Sequence, residues 1–200
     1  MSWKPVNNAI RSLPALLLVI ACSQDAPDDA STADTPPVST QSDATDRVAV
    51  AMSAAPASIS SGATIMDFDS TGKLVQLRAG TNGWLCLADD TPAAPGDSPD
   101  CVDQRWQAWF EAYEQKKVPR ISGVGVAYML QGSLTPSNAD PFAQTPAPGA
   151  DWIKDGPHVM VIVPDPAMLV AFPSDHMTGG PYVMYKGTPY AHLMVPVSVK

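Results

Sequence analysis

Three histidines each stand beside a methionine: His158-Val-Met160, His176-Met177 and His192-Leu-Met194. On a β-strand, residues two apart point to the same face, so His158 with Met160, and His192 with Met194, would each present an imidazole and a thioether together. That combination suits copper, Cu(I) above all, because thioethers are soft ligands. If the two strands pair, His158, Met160, His192 and Met194 form a candidate metal site. A plainer reading makes the methionines core filler and the histidines hydrogen-bonded core residues, since methionine adapts to irregular interiors. With nine methionines and three histidines in 200 residues, such pairs also arise by chance.

A second constellation is of the acid-base kind. Asp165 follows a strand-like run, Asp175 precedes His176, and Tyr190 stands two residues before His192. A carboxylate, an imidazole and a phenol in one cleft could serve a hydrolase or an isomerase. No nucleophile elbow, zinc helix, phosphate loop or dinucleotide fingerprint accompanies them, so whether the chain is an enzyme stays open, leaning towards no. Asp165 between two prolines and Asp175 after Pro173-Ser174 also read simply as turn residues or caps. A third candidate is a contact surface for a cell-envelope protein or a saccharide, with Asn138-Ala-Asp-Pro-Phe142 at its tip. There the duller option is that Phe142 pins the loop to the core.

These groups need elements to hold them. Lys73–Arg78 and Trp84–Ala88 read as a hairpin about the Gly- and Asn-bearing stretch 79–83. Val102, Trp106, Trp109, Phe110 and Tyr113 recur at helical spacing, with Ser98 or Asp100 as cap and Pro119 as stop. Their aromatic stripe reads as core packing. Runs at 122–130, 158–163, 182–185 and 190–197 read as strands, with a helical turn at 166–171 and a long loop over 134–150 rich in Pro and small residues. The expected fold is α+β: a mainly antiparallel sheet with one principal amphipathic helix, about residues 100–117, packed on a face.

The N-terminus carries Lys4 and Arg11, then a short apolar run from Leu13 to Ala21, which has the layout of a secretory signal and is too short to span a bilayer. Val19-Ile20-Ala21-Cys22 resembles the lipobox of bacterial lipoproteins, in which the cysteine is lipidated and becomes the new N-terminus. Ser23 in the following position, by resemblance to bacterial sorting rules, favours the outer membrane, so a membrane is the expected partner through lipid on Cys22. Residues 1–21 are then a signal peptide, 22–62 a disordered tether rich in Ala, Ser, Asp and Pro, and 63–200 one globular domain. Loss of the signal leaves 10 basic against 20 acidic side chains, an unfavourable balance for a nucleic-acid partner. Cys86 and Cys101 remain as a pair in an oxidising compartment, and a disulfide between them is expected.

Three blocks, Leu77–Asp89, Gly156–Asp165 and Gly187–Pro196, resemble a family of exported bacterial proteins of uncharacterised activity. The likeness spans most of residues 64–197. It implies no cofactor and no functional residue.

Overall fold

The computed structural model describes residues 40–89 and 94–197, with side chains from residue 44 onward. The signal segment and the lipidation candidate Cys22 lie outside the described residues. Along the chain run helix α1 (Thr40–Ser53), a short helical turn α2 (Ala57–Ser60), strands β1 (Thr64–Phe68), β2 (Leu74–Arg78), β3 (Leu85–Leu87) and β4 (Asp100–Val102), and helix α3 (Gln104–Glu114). Strands β5 (Gly125–Met129), β6 (Ser133–Thr135), β7 (Ile153–Asp155), β8 (His158–Ile162), β9 (Tyr182–Met184) and β10 (His192–Pro196) follow, with single 3-10 turns at Pro166–Leu169 and His176–Thr178. The fold is α+β. Eight strands form one sheet in the order β2-β1-β3-β4-β5-β8-β10-β9, and β6 pairs with β7 alongside. Only the β1–β3 pair among them is parallel.

The expected hairpin is absent. β2 and β3 do not pair with each other, because β1 lies between them, antiparallel to β2 and parallel to β3. The actual hairpin is β1–β2. Its turn is tied by the Asp69 carboxylate, which accepts from Thr71 N at 2.9 Å, Thr71 Oγ1 at 2.6 Å and Lys73 N at 3.0 Å, while Gly72 takes the left-handed backbone at φ 75°. The stretch 79–83 instead carries the chain back across the start of β1, where Thr81 N donates to Gly62 O.

The helix expected over residues 100–117 is shorter. Residues 100–102 are strand β4, and Asp103, not Ser98 or Asp100, caps α3 by accepting from Arg105 N and Trp106 N, each at 2.9 Å. Its other oxygen accepts from Val126 N at 2.9 Å, so one carboxylate ties the helix start to β5. Asp103→Ala removes a cap and orphans a strand amide, and should cost about 2 kcal/mol of stability by urea unfolding. Nor does Pro119 end the helix: Lys116 turns left-handed at φ 53°, and Lys117 N and Lys116 N close back on Ala112 O and Tyr113 O.

Successive β4 residues face opposite ways, and this sorts the core. Cys101 joins a cluster with Ala51, Ala54, Ala63, Ile65, Cys86 and Ala88, whereas Val102 joins Trp106, Trp109, Ala127, Met160 and Met194. The sheet thus carries α1 on one face and α3 on the other, in place of one principal helix. The tether expected through residue 62 also ends earlier, since α1 already packs on the sheet. Alanines at 51, 54 and 55 let the helix end approach closely, and Arg47 bridges Asp67 at 2.6 Å and Asp97 at 2.7 Å.

Cys86 and Cys101 are directly opposed on β3 and β4 and joined by a disulfide beneath α1. Reduction should lower stability by about 3 kcal/mol, the loop-closure contribution for a separation of this size, measured as the shift in urea midpoint with and without reductant. On the opposite face, the Ile162 side chain of β8 and the start of α3 come so near β5 that a Cβ on Gly125 would stand 2.7 Å from Ile162 Cγ1 and 3.0 Å from Arg105 Cβ. Gly125→Ala should therefore destabilise by about 1–3 kcal/mol, read by thermal unfolding.

Candidate functional site

β8 and β10 are neighbours, paired antiparallel, so the strands carrying the two His-x-Met pairs do meet. Their register places Met160 opposite Met194 and His158 opposite Pro196, while His192 lies one step beyond the Leu193–Val161 pair. All four side chains are buried on the face that α3 covers. The two histidines, however, stand at opposite ends of the paired segment, with backbones about 13 Å apart along the strands at ~3.3 Å per residue. The four donors do not share one centre. His176 sits apart in a 3-10 turn beside Tyr182, with Met177 78 % exposed.

What these strands form with α3 is a cavity of about 340 Å³. Trp106, Trp109, Phe110 and Tyr113 of α3 line it on one side, and Met160, Met194, Met184 and His192 on the sheet side. Met129, Ser133 and Thr135 complete one end, and Pro136, Pro141, Ala143 and Gln144 close it as a cover. That cover is the long loop noted in the sequence. Phe142 holds it down, stacked on Tyr113 at 5.3 Å and edge-on to Tyr190 at 5.2 Å, with Lys116 Nζ 5.1 Å from its ring. The Tyr113 hydroxyl donates to Pro141 O, Tyr185 N donates to Asn138 O, and Asn138 Nδ2 donates to Ser174 O at 2.6 Å. Phe142 therefore serves the loop as a pin.

The polar atoms of this cavity are few, and four have no hydrogen-bond partner among the described residues: Trp106 Nε1, His192 Nε2, Ser133 Oγ and Thr135 Oγ1. Trp106 is 1 % exposed, His192 3 % and Ser133 7 %, so these are buried groups whose unmet hydrogen bonds carry a real cost. The His192 tautomer follows from its neighbour. Nδ1 lies 3.0 Å from Tyr190 O and must donate to it, which leaves Nε2 with a free lone pair. Burial above all, opposed by the hydrogen bond to Tyr190 O and aided by repulsion from the His158 ring, lowers the His192 pKa to about 4, so the ring is neutral at ordinary pH. Among the described residues, no Asp, Glu, Lys or Arg lines the cavity.

A smaller polar group lies at the far end of the sheet. Tyr182 OH donates to Asp155 Oδ1 at 2.8 Å, and burial, then Asp155, holds the phenol well above its ordinary pKa. His158 Nδ1 donates to Gly156 O at 2.7 Å, and burial depresses the pKa of this ring as well. His158 does not line the cavity.

The acid-base set is not assembled. Asp165 is exposed and accepts from Ala167 N at 2.9 Å, capping the first 3-10 turn, and Asp175 caps the second through Met177 N. The Tyr190 hydroxyl donates to Lys117 O at 3.0 Å, tying the chain just before β10 to the turn that follows α3. Of the sequence candidates, then, Met160, His192 and Met194 come together and His158 does not. Met129, Met184, Ser133, Thr135 and the α3 aromatics were missed as site residues. The helical stripe was visible but indistinguishable from core packing, and the positions of Met184 and Ser133 depend on strand order.

Among the described residues, no group of three or more His, Cys, Asp or Glu side chains is placed to hold a metal ion, and no helix is long and apolar enough to cross a membrane. No protein-family model, curated protein or solved structure matches the chain.

Proposed function

We propose that this chain is an exported binding module, tethered to the outer membrane by lipid on Cys22, which holds a small ligand in the cavity between α3 and the sheet. One observation carries the binding reading: four buried polar atoms in that hollow, Trp106 Nε1, His192 Nε2, Ser133 Oγ and Thr135 Oγ1, have no partner among the described residues. A bound molecule would satisfy a donor at Trp106, an acceptor at His192 and either role at the hydroxyls. The wall of aromatic and thioether side chains supplies contact area, and a volume of about 340 Å³ falls at the small end of ligand pockets. With no ionised side chain facing it among the described residues, the site favours organic groups that bring no carboxylate or ammonium, because such a charge moved into the hollow loses its hydration and meets no counter-charge.

The anchor rests on the charged start, the apolar run to Ala21 and Cys22, and the oxidised Cys86–Cys101 pair fits an exported location. An envelope protein or saccharide as partner has no comparable feature in its favour.

The test is a titration with 2-naphthol, 2-naphthoate and 2-naphthylmethylammonium, followed by tryptophan fluorescence. Binding of the neutral probe alone is expected, weakened about tenfold or more by Ser133→Phe, which fills the hollow. Equal binding of all three probes, or a Ser133→Phe variant that binds as the parent does, contradicts the reading.

A further inference from the structure

Soft donors are concentrated in the cavity to a degree that its volume makes hard to ascribe to packing. Four of the nine methionines, Met129, Met160, Met184 and Met194, line this one hollow. Methionine used as filler closes gaps, yet here the thioethers border about 340 Å³ of open space. The sheet also orders them. Met194 faces Met160 across β8–β10, and His192 faces Met184 across β9–β10, so both pairs are directly opposed neighbours with Cβ atoms about 5 Å apart. Met194 and His192 are two apart on β10 and share its face.

We propose that the cavity is a site for a soft monovalent metal ion, Cu(I), held by His192 Nε2 and the thioether sulfurs of Met184 and Met194, with Met160 beside them. This rests on the reading of the cavity as a ligand site and names its ligand class. Thioether and imidazole donors suit Cu(I), whereas calcium, magnesium and manganese require oxygen ligands that are lacking here. A structural zinc site would need thiolate, imidazole or carboxylate ligands in company, and no such group exists among the described residues. His192 offers a lone pair already fixed by the Nδ1 bond to Tyr190 O, so the second ring nitrogen orients the first. Trp106 and Trp109 stand with ring centroids 5.2 Å and 5.8 Å from the imidazole and wall it off from solvent. His158, which the sequence suggested as a ligand, is excluded by register.

The experiment uses the whole mature chain carrying Cys22→Ala, so that no free thiol competes. It is titrated with Ag(I), and without oxygen with Cu(I) held by bicinchoninate, while tryptophan fluorescence and bound metal are followed. One ion per chain is expected, with quenched tryptophan emission. Met184→Leu with Met194→Leu, a pair of volume-conserving changes, should weaken binding at least about 100-fold, the upper end of what loss of an outer partner alone does to a metal site, with little change in melting temperature. Met168→Leu with Met177→Leu alters methionines 65 % and 78 % exposed and should leave affinity unchanged. Absence of stoichiometric binding, or binding untouched by the Met184 and Met194 changes, overturns the metal assignment. If metal fails while 2-naphthol still binds and Ser133→Phe blocks it, the metal assignment alone falls; if both fail, the binding reading falls with it.

Discussion

A chain that begins at residue 63 should lose about a third or more of the stability of one that begins at residue 23, although sequence composition alone would place the domain boundary there. Helix α1 and the turn that follows it bury Ala51, Ala54 and Ala55 against Ala63, Ile65, Ala88 and the disulfide, with Val48, Val50 and Met52 packed at the margins. Leu130 N, at the end of β5, also donates to Ala54 O. At ~0.8 kcal/mol per buried CH2-sized group, the burial lost with this segment is on the order of 5 kcal/mol. Whole domains are stable by only about 5–15 kcal/mol, so truncation takes a large share of the total. Urea unfolding of the two chains, followed by tryptophan fluorescence, checks this. Equal midpoints would mean that α1 contributes nothing to the fold.

Acid should unfold the domain through its buried histidines. The folded pKa of His192 is about 4 against an ordinary 6.5, so between these values the unfolded chain binds a proton that the folded chain excludes. Its neutral form therefore favours folding fully above pH 6.5, and that contribution is lost as pH falls from 6.5 towards 4. A shift of this size corresponds to about 3 kcal/mol. His158, also depressed by burial, acts in the same direction. The groups around His192 that could offset this are few: the tyrosines Tyr185 and Tyr190, the rings of Trp106 and Trp109, and no carboxylate or cation among the cavity residues. Urea midpoints recorded from pH 7.5 to 4.5 should fall steeply for the parent and less steeply for His192→Gln, which cannot take up the proton. Parallel slopes for the two chains would show that His192 does not govern the acid transition.

The sheet was legible from the chain because β5, β8 and β10 are short, nearly continuous apolar runs bounded by Gly and Pro. Strand order was not. Lys73–Arg78 and Trp84–Ala88 lie close in sequence, and nothing local reveals that β1 inserts between them. The small side chains of α1 escaped notice for a related reason: alanine buries too little surface to stand out in composition, and its value lies in permitting close approach to the disulfide. At the site, the His-x-Met pairs were visible and their strands do meet. The register that keeps Met160 beside Met194 but sends His158 to the far end is set by the pairing of β8 with β10, since a strand pattern with period two fixes the face and not the partner. The hollow itself had no sequence signature. The same helical stripe of Trp106, Trp109, Phe110 and Tyr113 would line a filled core equally well.

A ligand received in the cavity at the free ring nitrogen of His192 must perturb that nitrogen directly. Histidine side-chain nitrogens and tryptophan indole N–H groups can be followed in nitrogen-correlated spectra while 2-naphthol, and separately Ag(I), is added. With either ligand the His192 Nε2 resonance should move, and with naphthol the Trp106 indole N–H as well, while His176 stays in place. Unchanged signals at both His192 and Trp106 through saturating additions of each ligand would contradict binding in the cavity.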